Sequence, residues 1–134
     1  MKTILLILTF ISGITSYSQN EIKDIIDKLN QNLTTYGADP SLKEVFLNRQ
    51  EKILDIQGFQ IPLEKTKEVY QPDEKIYQGT KIIGKVSFEC EWNCIKNTED
   101  NEQNSGVAFS FKSKKGAYLF IDLIFQLKKE LAYD

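Results

Sequence analysis

The chain has 134 residues, of which 41% are hydrophobic and 27% charged, with 17 basic against 19 acidic side chains and no histidine. A net charge of −2 lacks the basic footprint that a nucleic-acid binder needs. The missing histidine excludes a Ser-His-Asp or Cys-His arrangement, a histidine-assisted zinc site and a histidine proton switch.

In MKTILLILTFISGITSYSQ, Lys2 precedes an apolar run from Ile4 to Ile11, then small and polar residues that include Ser16 and Ser18. This pattern reads as a secretory signal peptide over residues 1–18, cut before Gln19. The run is too short to span a bilayer, no second such stretch follows, and no cysteine at the cut could take a lipid. The expectation is a soluble exported protein, periplasmic or extracellular, with residues 19–134 as one domain of net charge −3.

A helix is expected over residues 20–36, with Asn20 as cap, Ile22, Ile25, Ile26, Leu29 and Leu33 on one face, and Gly37 ending it. It either docks on the domain or hangs as an arm, because termini fray unless held. Gly37 to Pro40 reads as a turn. Residues 44–49 and 52–57 read as neighbouring strands. In the next strand, Phe59, Ile61 and Leu63 alternate, and Pro62, which cannot donate to a ladder, puts this strand at an edge or makes it begin near the proline. A weaker strand runs from Thr66 to Tyr70, and Gln71 to Glu74 read as a turn. Residues 81–90 form the longest strand candidate, with Val86, Phe88 and Cys90 on one face.

Cys90-Glu91-Trp92-Asn93-Cys94 holds both cysteines and the only tryptophan. A straight strand through residues 86–95 would separate the cysteines by about 13 Å as two buried thiols. A three-residue hairpin loop, with Asn93 in the left-handed region it tolerates, would instead bring them face to face. The hairpin is the working expectation, with a Cys90 to Cys94 disulfide worth about 2 kcal/mol in the chain-entropy model. Trp92 then stands at a tip, where it is a candidate binding residue. Two cysteines cannot complete a tetrahedral metal site, and a redox pair would usually be C-x-x-C at a helix start, so neither metal nor cofactor is expected.

Residues 96–105 are polar and without periodicity, the pattern of a mobile loop. Val107, Phe109 and Phe111 then alternate as a last strand. The closing helix starts at a Ser113 cap and carries Ala117, Phe120, Ile121, Ile124, Leu127 and Leu131 as a core stripe, with Leu123 at its margin; Lys128 near its middle puts the last turn near an edge of the core or lets that lysine snorkel outward. Tyr118, Leu119 and Phe125 lie outside that stripe, so a second contact is expected. The N-terminal helix is the expected cover. A homodimer or partner surface centred on Tyr118 and Phe125 is the alternative, which makes both candidate binding residues.

The fold class expected is α+β, a bent antiparallel β-barrel or sheet of about six strands with a C-terminal capping helix and an additional N-terminal helix. Short strands, a cysteine-marked hairpin, a strand ending Phe109-Ser-Phe-Lys-Ser113 and one amphipathic C-terminal helix resemble the pleckstrin-homology-like arrangement of small exported bacterial proteins, over roughly residues 44–131. That resemblance implies a seven-stranded barrel closed by its last helix and a protein, peptide or lipid ligand, with no binding residue carried over.

Other chemistries find weaker support. Asp55, Asp73, Glu74, Glu89 and Glu91 could pair for hydrolysis, Asp100, Asn101, Glu102 and Asn104 lack the glycine and closing glutamate of a calcium loop, and Lys112, Lys114 and Lys115 could meet an anion at the helix start. The function expected is an exported, non-enzymatic binding domain. A small carboxylate-dependent hydrolase and a structural subunit of an envelope assembly are the alternatives.

Overall fold

The computed structural model describes residues 20–39 and 44–132, so the expected signal peptide, its cut and Pro40 lie outside the described residues. Helix α1 (20–36) is followed by β1 (Phe46–Asn48), β2 (Ile53–Ile56), β3 (Phe59–Pro62), β4 (Lys67–Tyr77), β5 (Thr80–Glu89), β6 (Ile95–Asn97), β7 (Gln103–Asn104), β8 (Gly106–Phe111) and α2 (Lys114–Leu131). The strands form two antiparallel sheets, in the orders β1-β2-β3-β6-β7 and β4-β5-β8. The α+β class with a helix at each end holds. Among the described residues no ladder joins the two sheets, so these strands do not close into a barrel.

Two tight hairpins set the register. Gln57-Gly58 and Gln78-Gly79 have φ of 55° and 85°, and of 49° and 78°. Positive φ at both central residues is the geometry whose twist matches a two-residue hairpin, and it aligns Ile56 with Phe59 and Tyr77 with Thr80. Asp55 Oδ1 accepts from the Gly58 N–H at 3.2 Å and braces the first of these turns.

Three sequence expectations are corrected. Gln71 to Glu74 do not turn the chain: β4 continues to Tyr77, and its register against β5 shifts between Pro72 and Lys75. A bulge on an edge strand accommodates a proline that an inner strand would reject. β3 is internal rather than an edge, lying between β2 and β6. It tolerates Pro62 because β6 pairs only with Phe59 and Gln60. Residues 96–105, expected as an unstructured loop, fold into the β6–β7 hairpin, where Asn97 N donates to Glu102 O at 2.9 Å and Ile95 aligns with Asn104.

One buried cluster runs through α1, both sheets and α2. Phe88 packs edge to face on Phe109 and Phe120, at 6.1 and 5.9 Å between centroids, and Phe59 meets Phe109 at 6.4 Å across the two sheets. Each such pair adds about 0.5–1.5 kcal/mol to the burial of its rings. From α1, Ile22, Ile25, Leu29 and Leu33 are buried, Ile26 partly so, while Lys23, Asp24, Lys28 and Gln31 face water. Asn20, expected as a cap, is itself helical.

The chain leaving α1 also ties to the last strand. Gly37 bridges Phe111, Ala38 N donates to Ser110 O at 2.9 Å and Lys112 N to Tyr36 O at 2.8 Å. The helix is therefore docked. Ser113 caps α2 as expected, its hydroxyl accepting from Gly116 N at 3.2 Å.

The face by which α1 meets α2 is not the expected one. Asn32 Nδ2 donates to Gly116 O at 3.0 Å, and the ring of Tyr36 lies where a side chain at Gly116 would be. At about 100° per residue, Phe125 is half a turn away from Gly116 and Tyr118 nearly so. The helix α1 thus covers the Gly116 flank. Tyr118 packs on Tyr70 of β4, with ring centroids 5.0 Å apart, and still remains 50% exposed.

Candidate functional site

Register places all three crossings between the sheets at one end of the molecule. Lys67 at the start of β4 aligns with Glu89 at the end of β5, which aligns with Gly106 at the start of β8. In the other sheet, Ile95 aligns with Asn104. The chain therefore crosses through residues 63–66, back through 90–94 and again at Ser105. Backbone changing sheets cannot pair as a ladder, and here it borders a cleft of about 940 Å³. Glu64, Thr66, Lys67, Glu89, Trp92 and Gln103 are among its lining residues.

Cys90 and Cys94 are disulfide-bonded, with Cα atoms 6.2 Å apart. The expected hairpin is not what joins them, because β5 and β6 belong to different sheets. The staple instead closes a corner. Cys94 N donates to Cys90 Sγ at 3.0 Å, Cys90 N to Ser105 O at 2.8 Å, and Ser105 Oγ to Asn93 Oδ1 at 2.7 Å. Asn93 takes φ of 45°, the left-handed conformation expected of it. Every residue of the corner except Glu91 and Trp92 is thus held by a covalent or hydrogen bond. Trp92 is 87% exposed, the most exposed of the large hydrophobic side chains among the described residues.

The remaining candidates are dispersed. Glu89 and Glu91 line the cleft, whereas Asp55 braces a turn and Asp73 pairs with Lys75 at 3.2 Å. Asp100 Oδ1 accepts from Glu102 N at 2.9 Å within the β6–β7 turn, and no cluster of three metal-ligating side chains occurs among the described residues. Lys114 lies 5.8 Å from the centre of the Tyr118 ring. Phe125, 66% exposed, lies beside Tyr118 on the outer side of α2, with Leu119, 40% exposed, about 100° round the helix from Tyr118 toward the Gly116 flank, and none of the three lines the cleft.

Sequence reasoning missed the partners that shape the cleft, Lys67 and Gln103. Their place follows from which strands cross between sheets, and local periodicity does not carry that. Of the two places the sequence left open for Lys128, the structure takes the one at the edge of the core. Instead of snorkelling into water, its Nζ donates to Thr66 O at 2.6 Å and lies 2.6 Å from Glu68 Oε1, behind the crossing at residues 63–66. Among the described residues no helix is long and apolar enough to cross a membrane. The chain matches no family model, no curated protein and no solved structure.

Proposed function

We propose that the protein is an exported, non-enzymatic binding domain whose ligand is gripped at the crossing cleft by Trp92. The observation that carries this reading is an indole almost wholly in water on a corner otherwise fixed by a disulfide and hydrogen bonds. Exposing a large aromatic ring forgoes about 1.5–3 kcal/mol of burial, and a rigid aromatic anchor is the type of residue that dominates binding surfaces. Export is supported by the signal-like segment before Gln19 and by a disulfide, which persists in oxidising compartments. The pleckstrin-homology-like reading of the scaffold rests on its element order, short strands and then one C-terminal helix, with eight strands where that fold has seven.

The test is retention on the native envelope or extracellular fraction, comparing the wild type with Trp92→Ala. Loss of retention on substitution, with the unfolding curve shifted by no more than about 0.5 kcal/mol, is the expected result. Equal retention of both proteins overturns the reading. The exposed rings of Tyr118 and Phe125, side by side on the outer side of α2, support a second contact there, a homodimer through these two residues. Sedimentation should then show a concentration-dependent dimer that Phe125→Glu abolishes.

A further inference from the structure

We infer that the cleft beside Trp92 receives a neutral, flat, equatorially linked pyranose oligosaccharide, an inference that rests on the reading of this cleft as the binding site. An indole offers a flat apolar plate, and Trp92 offers it to solvent. A pyranose whose hydroxyls are all equatorial has the matching shape. Its axial C–H bonds form an apolar face, and each rim hydroxyl can both donate and accept.

The cleft supplies partners for that rim. Glu89 and Glu91 can only accept when ionised, Lys65 and Lys67 only donate, and Gln103 does both. Among the described residues none of these five side chains is engaged in a hydrogen bond or ion pair. Glu64, also at the cleft, is paired with Lys52 at 2.8 Å. The two remaining lysines and two remaining glutamates therefore balance, and the cleft has no net charge to draw an anionic headgroup, a nucleic acid or an acidic peptide. Apart from Trp92 and the disulfide, its lining has no large apolar side chain for an acyl tail or a hydrophobic peptide residue. Pockets of about 300–1,000 Å³ are usually lined by hydrophobic and aromatic side chains, whereas this one is lined mainly by charged and amide residues around a single indole. Its wall is about evenly polar and apolar, the mixture that a pyranose with an apolar face and a hydroxyl rim presents.

Trp92 is the only tryptophan, so its fluorescence reports the site directly. The purified exported protein is titrated with cellohexaose and chitohexaose, with the axially linked maltohexaose, a random peptide mixture and anionic phospholipid vesicles as comparisons. Calorimetry on the same samples follows binding by the variants that lack the indole. The expected result is saturable binding of one or both equatorially linked hexasaccharides, little changed between low and high salt. Maltohexaose should bind less tightly, Trp92→Ala at least about tenfold less tightly, and Trp92→Phe should lose less than that.

Trp92-dependent binding of the peptides or vesicles without binding of either hexasaccharide overturns the ligand class and leaves the binding reading standing. Absence of Trp92-dependent binding to any probe overturns the ligand class, and the binding reading falls with it only if wild type and Trp92→Ala are also retained equally on the native fraction. Release of reducing ends from a bound hexasaccharide keeps the ligand and overturns the non-enzymatic reading.

Discussion

Gly116 shows how much one missing methyl group decides. The close approach of α1 to α2 depends on it, because a Cβ there would collide with the ring of Tyr36. Gly116→Ala should therefore destabilise by about 1–3 kcal/mol in urea unfolding, although alanine is the better helix former by about 1 kcal/mol. A stabilised variant would show that the helices can part without cost. The cysteines set the second residue-level expectation. Replacing both by serine should cost about 2 kcal/mol, and reductant should lower the wild-type melting temperature while leaving the double variant unmoved. The cap at Ser113, the left-handed Asn93 and the cysteine pairing were all legible in the sequence, because each rests on chemistry within a few residues. The exposure of Trp92 was legible only as the tip of a tight loop. What holds that tip, Ser105, is brought in by pairing between distant strands.

At the level of elements, periodicity revealed what it can reveal. Burial on one face gave β2, β5 and β8 their alternation and the two helices their stripes. It was silent about β7, two polar residues held through backbone pairing alone, and about the far half of β4, whose side chains are mostly in water. Turn-forming residues can sit in such a strand because no core selects against them. The Lys128 contact, which joins α2 to β4, was invisible for a related reason: a lysine on a helix flank says nothing of what lies opposite. Glu68 and Lys128 have side chains 11% and 25% exposed. Lys128→Met strands a largely buried carboxylate and should cost about 1–3 kcal/mol. Adding Glu68→Leu should restore part of that loss, because removing both partners of such a pair costs less than removing one. A double variant no more stable than Lys128→Met would mean that the ion pair carries none of the effect.

For the molecule as a whole, no local pattern signals that the strands divide into two sheets. Strands in one sheet or in two bury the same alternate residues, so the pattern that shows where strands are does not show which partner each takes. That division brings three crossings together and makes the cleft. Two open sheets also have four free edges, and an open edge can template another chain. Here each edge is curtailed in its own way. β1 and β7 are three and two residues long, the chain leaving α1 bridges β8 at Phe111, and β4 is broken by the bulge beside Pro72 with Lys75 close by. Straightening the last of these, as Pro72→Val would, should leave folding intact yet make concentrated solutions scatter light and bind thioflavin sooner than the wild type. The residues that looked like a turn would then be what keeps neighbouring copies from growing into a fibril where the protein is crowded.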